Sequence, residues 1–400
     1  MDRTDIAIVG AGLVGTPLAQ VLARQGWSVA LLDANDSQAV LDSNSTPNSD
    51  AASRAQRLLA QRCTALSLGT QRWLKAQKLW TPVADDACPI KQVHVSHQGY
   101  FGATRLDADE LHAEAVGFVV SNKHFNAAML DQMQSRPVQH IDNARVRQVR
   151  QCEDGVLIDY ADKQLHARLL IGADGVSSIV RESAGIGTKQ VDYDQCALLG
   201  TVHLERDHES IAYERFTPSG PLALLPRPDR YMTFVDCLDP VDADHVGAMN
   251  DEQYLARLQQ RFGYRLGRFQ AVGPRFQTPL VRIEATEQIA PRTLLLGNAV
   301  RLLHPVGGQG FNLAMRDVAQ LVQLLDAQRQ GDPGSAELLS RFVELRKRDQ
   351  SQVVHFTDLL ARGFRGKASL PGHVRASALL ALDAVAPLRQ QFARRTMGVA

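Results

Sequence analysis

Short continuous runs of β-branched and aliphatic residues recur along this chain, and several of them end in glycine turns. Asp5-Ile6-Ala7-Ile8-Val9 enters Gly10-Ala11-Gly12-Leu13-Val14-Gly15. An unbroken apolar run of this length is the pattern of a strand buried on both faces. Helical spacing follows, with Leu18, Val21 and Leu22 on one face as far as about Arg24, and Gly26 as the stop. Pro17 falls near the first turn of this helix, where N–H groups have no intrahelical partner and a missing donor costs little. A second strand, Trp27 to Leu32, ends at Asp33.

Further along, the Ser-, Asn- and Asp-rich stretch 34–55 reads as a long loop. Arg57 to Lys78 reads as one helix through Leu58, Leu59, Leu66 and Leu74. Ile90 to Tyr100 alternates like a strand, and Val119–Ser121 leads through Asn122 into a helix ending near Met133. Residues 146–160 have the form of a hairpin turning at Glu153-Asp154-Gly155. Leu169 to Gly172 is another buried strand, followed by Ala173-Asp174-Gly175. From Val191 to Leu280 strand patterns dominate, interrupted by one helix at Asp251–Phe262. Thr293 to Leu296 is a late strand. It runs into Gly297-Asn298, a His304-Pro305 turn, and Gly307-Gly308-Gln309-Gly310 opening a helix at Phe311-Asn312. Helical patterns continue through Gln328 and from Ala336 to Leu360. The order predicts an α/β fold. A discontinuous nucleotide-binding domain takes residues 1–80, 101–185 and 285–335. A sheet-rich substrate domain takes 81–100 and 186–284, and a helical region takes 336–400.

Composition narrows the function classes. A net charge of +1 over 400 residues gives no general attraction for nucleic acid. The five cysteines (Cys63, Cys88, Cys152, Cys196 and Cys237) are scattered and form no C-x-x-C. That argues for a reducing compartment and against a redox-active disulfide. No apolar stretch approaches the ~20 residues of a membrane-spanning helix, and the opening residues carry no signal-peptide pattern. A cytoplasmic location is expected, with peripheral contact at the inner membrane surface as its variant.

The early cradle is a strand, a G-x-G-x-x-G, a helix, a second strand and an acidic residue in succession. Gly10 and Gly12 permit the tight turn and the approach of a pyrophosphate, and Gly15 lets the helix pack on the strand. Asp33 can accept hydrogen bonds from a ribose, and its charge disfavours a 2′-phosphate, so FAD or NAD is expected here. No second G-x-G-x-x-G exists to make a dedicated nicotinamide-nucleotide domain. His94 and His97, read as sharing a strand face, suggest no third ligand, and no metal is expected.

Asp174-Gly175-Val176-Ser177-Ser178-Ile179-Val180-Arg181 has the form D-G-x-x-S-x-x-R. With the early G-x-G-x-x-G and the late Gly-Asn…His-Pro…Gly-Gln-Gly-Phe-Asn, it resembles the group A flavoprotein aromatic hydroxylases over essentially the full chain. Three further segments are similar to the ubiquinone-biosynthesis branch: Arg62-Cys63-Thr64-Ala65-Leu66-Ser67, the run Tyr213 to Pro226, and Arg394-Arg395-Thr396-Met397-Gly398. Ala60 stands where that branch has Asp, and Asn298 where many relatives have Asp.

The resemblance implies a glutathione-reductase-type FAD-binding domain and a monooxygenase that uses NAD(P)H and O₂. The implied substrate is a polyprenylated phenol such as a 2-polyprenyl-6-methoxyphenol. It implies FAD contacts at Gly10, Gly12, Gly15, Asp33, Asn122, Asp174, Gly175, Asn298, Gly308, Gly310, Phe311 and Asn312. Pro305 would line the flavin face. His304 either accepts a phenolic proton or only braces its turn, and Arg62 either faces the site or pairs with a carboxylate. Residues 359–400 carry seven Arg or Lys against one acid, a local +6 among scattered leucines. That region is the candidate contact with a membrane surface or a biosynthetic complex, or else a solvated helical layer. A flavin monooxygenase of soluble aromatics, a flavin-dependent reductase and a non-catalytic subunit of the same fold are the competing readings.

Overall fold

The computed structural model describes residues 2–44, 51–135, 137–363, 373, 377, 380, 381 and 383–399. Strand Asp2–Val9 lies inside an eight-stranded sheet, parallel to Val29–Leu32 on one side and to Lys163–Gly172 on the other. Val138–Ile141 and Thr293–Leu295 extend this parallel core outward. Ile6, Ala7, Ile8, Ala30, Leu31 and Leu32 are all fully buried, as a sheet covered on both faces requires. The expected hairpin is present as Val146–Cys152 and Gly155–Tyr160, attached antiparallel to Lys163–Gly172.

A nine-stranded sheet forms the second body of structure. Its backbone is Thr188–Leu204, flanked by Phe276–Ala285 and Tyr231–Leu238, and continuing through Gly220–Arg227 and Ile211–Thr217. Gln92–His97 joins in parallel with Ile211–Thr217. Ala103–Asp107 and Arg301–Leu302 also belong to this sheet, although the expected boundaries group them with the nucleotide-binding residues. Helix Asp251–Phe262 packs on one face, started by a capping box between Asn250 and Gln253.

Two local expectations are corrected. The single helix from Arg57 to Lys78 is instead helix Ala51–Ala60, strand Cys63–Ser67 and helix Leu68–Ala76. The strand pairs antiparallel with Gly117–Ser121, a long-range partner that outweighs the leucine spacing. Ser67 then restarts the helix by accepting from Thr70 N–H. The stretch 34–55 contains helix Ser37–Asn44 as well as the start of Ala51–Ala60, and residues 45–50 lie outside the described residues. Asp142 anchors Ser37 from far along the chain, accepting from its N–H at 3.0 Å and its hydroxyl at 2.7 Å.

Helices Gln309–Ala327 and Ala336–Gly363 pack together beside the parallel sheet. Arg346 bridges them through its Nε to Asp317 at 2.6 Å, and Gln350 donates to the same carboxylate at 3.1 Å. Arg316 on the first helix pairs with Asp349 on the second at 2.9 Å. Helix Ala386–Thr396 then returns to Leu68–Ala76, where Gly69 N–H donates to Met397 O at 2.8 Å.

Candidate functional site

Both glycine cradles meet the start of a helix that no side chain caps. Helix Gly15–Arg24 follows Val14 and helix Gln309–Ala327 follows Gly308, neither with a side-chain hydrogen bond. Ser67, Ser121, Ser178 and Asn250 supply such caps to four other helices, while Thr81–Ala84, Pro240–Gly247 and Ala386–Thr396 start without one but carry a proline in the first turn. Free N–H groups at a helix start suit an anionic or hydrogen-bond-accepting ligand. The glycines divide into two kinds. A Cβ on Gly15 would lie 2.0 Å from Gly10 O, so that glycine serves packing. A Cβ on Gly12 or on Gly310 would meet nothing within 4 Å, so each faces open space where a ligand can approach backbone. Gly307 and Gly308 take φ of 69° and 61°, left-handed values that fold the late turn back toward strand Cys63–Ser67.

Asp33 lies at the end of its strand as expected. Its Oδ2 accepts from Ala11 N–H at 2.6 Å, and its Oδ1 from Asn35 N–H at 2.8 Å. Asn122 opens its helix one residue after the cap Ser121, and Thr64 donates to its Oδ1 at 2.6 Å. Asp174 is tied into its own turn, accepting from Ser178 Oγ at 2.6 Å and Val180 N–H at 3.2 Å, and Gly175 has a φ of 85°. Arg181 joins the middle and late motifs by donating to Val176 O at 2.8 Å and Ala299 O at 2.9 Å. Asn298, next in sequence to Ala299, is exposed. Asn312 is buried with its amide fully used. It accepts from Ser67 N–H and Thr70 Oγ1, and donates to Ala65 O and Gly308 O. Its side chain therefore fixes the turn, and only its backbone is offered to a ligand. Phe311 sits edge-on to Phe125, ring centroids 6.0 Å apart.

The turn at His304-Pro305 is braced by its own histidine. His304 is buried and its Nδ1 accepts from Val306 N–H at 3.2 Å, which leaves the proton on Nε2. Burial lowers its pKa to about 4, so the ring is neutral at physiological pH. Its ring meets Tyr193 edge-on, and Tyr193 in turn donates to Asp358. Arg62 is exposed, with its guanidinium 4.6 Å from the Phe276 ring centroid. His94 and His97 do not share a face, because a separation of three on a strand puts side chains on opposite sides. His94 accepts from Arg265, while His97 stacks on Tyr100. Cys152, Asp154 and His166 bring three metal-capable atoms within 4.8 Å of one another at the 152–155 hairpin turn, away from both cradles.

An apolar cavity of about 300 Å³ opens beside Gly307 and Gly308. Ala65 and Leu66 form one side, and Val93, Val95, Leu106 and Phe216 of the nine-stranded sheet another. Phe356, Leu360, Phe392 and Met397 close it from the helical region. A second cavity of about 750 Å³ shares Gln309, Phe356, Phe392 and Thr396 with the first and adds Arg316, Arg346 and Arg395. Three contributions escape the sequence reading. The helix Ala386–Thr396 is a cavity wall, Arg181 is a clamp between motifs, and Glu214 is the acid on the cavity surface. Both side chains stand in segments that draw attention, the D-G-x-x-S-x-x-R and Tyr213–Pro226 runs. Alternation alone, however, cannot say which face of a strand meets a cavity.

A parallel-sheet nucleotide cradle, a second glycine turn and an apolar chamber on an adjoining mixed sheet define the architecture of a flavin-dependent monooxygenase. The chain belongs to the FAD binding domain family, which it matches over residues 3–357. It is 36% identical to the ubiquinone hydroxylase UbiL of Rhodospirillum rubrum, over 98% of this chain and 89% of that protein. It is 28% identical to the 3-demethoxyubiquinol 3-hydroxylase of Escherichia coli, over 99% of each. Among solved structures, p-nitrophenol 4-monooxygenase PnpA of Pseudomonas putida shares the fold with a TM-score of 0.79 at 15% identity, over 99% of each chain.

Proposed function

We propose that this flavoprotein hydroxylates a polyprenylated phenol of ubiquinone biosynthesis, with NAD(P)H and O₂ as co-substrates. The observation that carries the reading is the apolar cavity bordered by the Gly307-Gly308 turn, next to the uncapped helix start at Gln309. The relatives named above supply the substrate class. FAD, reduced by NAD(P)H, supplies the activation of O₂ and the oxygen atom that enters the ring.

The chain's own residues then bind, orient and exclude water. Gly12 brings backbone to the pyrophosphate, Gly10 and Gly15 let the cradle's loop and helix pack on the sheet beneath it, and Asp33 takes the ribose. Asn122, Asp174, Gly175 and Asn298 border the path between the two cradles. Gly308, Gly310, Phe311 and Asn312 present backbone to the flavin ring, where the helix start favours negative charge. Pro305 and Arg62 border the ring face, and His304 positions the turn. The cavity's aliphatic walls keep water from the reacting carbon. The prenyl tail leaves past Phe356 and Phe392, which line both cavities, toward the second.

A lipid-borne substrate brings the enzyme to a membrane surface, and we assign that contact to the helix bearing Arg394 and Arg395, at the cytoplasmic face of the inner membrane. No described helix is long and apolar enough to cross a membrane. The test is direct. Purified protein carrying FAD, mixed with NAD(P)H, O₂ and a short-tailed prenyl phenol, should yield a product heavier by one oxygen. Equal turnover of small phenols without a tail would favour a soluble aromatic substrate instead. Oxidation of NAD(P)H with no hydroxylated product from any phenol would refute the assignment.

A further inference from the structure

Glu214 is the one ionisable side chain among the described residues that line the apolar cavity. Strand pairing puts it there. Ile211–Thr217 runs parallel to Gln92–His97, with Glu214 opposite Val95, and antiparallel to Gly220–Arg227, with Glu214 opposite Ala223. The two-residue period then turns Glu214 and Phe216 to the side that Val93 and Val95 also line. Glu214 Oε1 is sealed from solvent and has no hydrogen-bond partner, while the carboxyl faces the Gly307 backbone. A carboxyl held among aliphatic side chains with an unused oxygen is unfavourable unless a ligand supplies a donor. The donor must fit an apolar chamber beside the flavin turn, and a phenol has that chemistry: one O–H on a flat apolar ring.

We propose that Glu214 is a catalytic residue that accepts the phenolic O–H of the substrate. This rests on the phenol-hydroxylase reading above. In the bound complex the carboxylate accepts a hydrogen bond from the phenol. As the ring is oxidised, the phenol O–H bond breaks and the proton passes to Glu214. The freed electron pair enters the ring and enriches the ortho and para carbons, where the electrophilic oxygen adds. The hydroxylated carbon then loses its hydrogen to water as a proton, and Glu214 returns its proton to the phenolic oxygen. Oxygen comes from O₂ and the two electrons that reduce its other atom to water come from NAD(P)H, so the balance is closed.

Burial raises the Glu214 carboxyl to about 7, offset in part by the Gly307 backbone, so the accepting form grows through neutral pH. The titratable neighbour that feels its charge is the Cys237 thiol on Tyr231–Leu238. Its own burial, then Asp236, then Glu214 hold that thiol well above its ordinary value, and it stays neutral.

The test compares a short-tailed prenyl phenol with its methyl ether on the FAD-loaded full chain. Binding is read from the perturbation of flavin absorption, without turnover. The wild type should prefer the phenol about tenfold at pH 8 and lose that preference as the pH falls through 7. E214Q should keep FAD, bind phenol and ether alike, and hydroxylate about 10²-fold or more slowly while NAD(P)H oxidation continues as peroxide release. A phenol preference retained in E214Q, with product formed at the wild-type rate, overturns the assignment. Should E214Q not fold, a pH-independent preference in the wild type overturns it equally. A pH-dependent preference without any hydroxylated product would instead sink the hydroxylase reading and leave Glu214 as a phenol acceptor.

Discussion

Two glycines three residues apart should fail in opposite ways when given a methyl group. At Gly15 an added Cβ would lie 2.0 Å from Gly10 O and 3.3 Å from Ile8 Cγ2. The first distance is roughly 1 Å or more short of van der Waals contact, so the helix must lift from the strand. Overpacking of this kind costs about 1–3 kcal/mol, and backbone is the obstructing group, so the upper end applies. At Gly12 the same Cβ meets nothing, and a compatible Gly→Ala change stabilises by about 0.4–1 kcal/mol through the unfolded chain. If Gly12 receives the pyrophosphate as proposed, that methyl would occupy the space the ligand needs. Displacing one charge-assisted N–H···O bond forfeits about 1.5–3 kcal/mol, or roughly 10- to 150-fold in affinity. The assay is thermal unfolding of FAD-stripped protein alongside an FAD titration by flavin fluorescence. Gly12→Ala should match or exceed the wild type without FAD, and gain far less from it. Gly15→Ala should be unstable before any FAD is added. A Gly12→Ala protein that binds FAD as tightly as the wild type would refute the placement of the pyrophosphate.

Asp317→Ala takes from the buried Arg346 one of its two carboxylate partners, leaving Asp349, and should cost about 1.5–3 kcal/mol in denaturant unfolding, with Asp317→Asn milder. His304 adds a pH signature. Burial depresses its folded pKa to about 4, so the unfolded chain takes up a proton between pH 6.5 and 4 that the folded one refuses. Stability should fall by about 3 kcal/mol as the pH drops through that window and level off below it; His304→Gln should remove this share of the slope. Gly69→Ala would put a Cβ 2.3 Å from Gly398 O and push the C-terminal helix off the cavity. KM for a prenyl phenol should rise about tenfold or more with FAD affinity unchanged; equal KM values would separate that helix from substrate binding.

The parallel core was readable because its strands are continuous apolar runs punctuated by glycine, and that signal is local. Gly26 stopping a helix and Asn250 starting one are equally local. What resisted reading depends on partners far away in sequence. Cys63–Ser67 is a strand because Gly117–Ser121 lies beside it, and Ser37 begins a helix because Asp142 receives it. The candidate site divides the same way. The glycines and Asp33 announce themselves by spacing. Glu214 does not, since its alternation matches that of any strand with one buried face, and only the closing helices turn that face into a chamber.

The pairing order of the parallel sheet also bears on how the protein is made. Asp2–Val9 finds its neighbours at residues 29–32 and 163–172, and the next strand outward comes only at 293–295. The second glycine turn, proposed to complete the flavin cradle, follows still later. A chain emerging from the ribosome thus holds its first glycine loop long before the second, and such distant pairings close slowly. A ligand held by both glycine turns would therefore stabilise only a chain whose late strand is already in place.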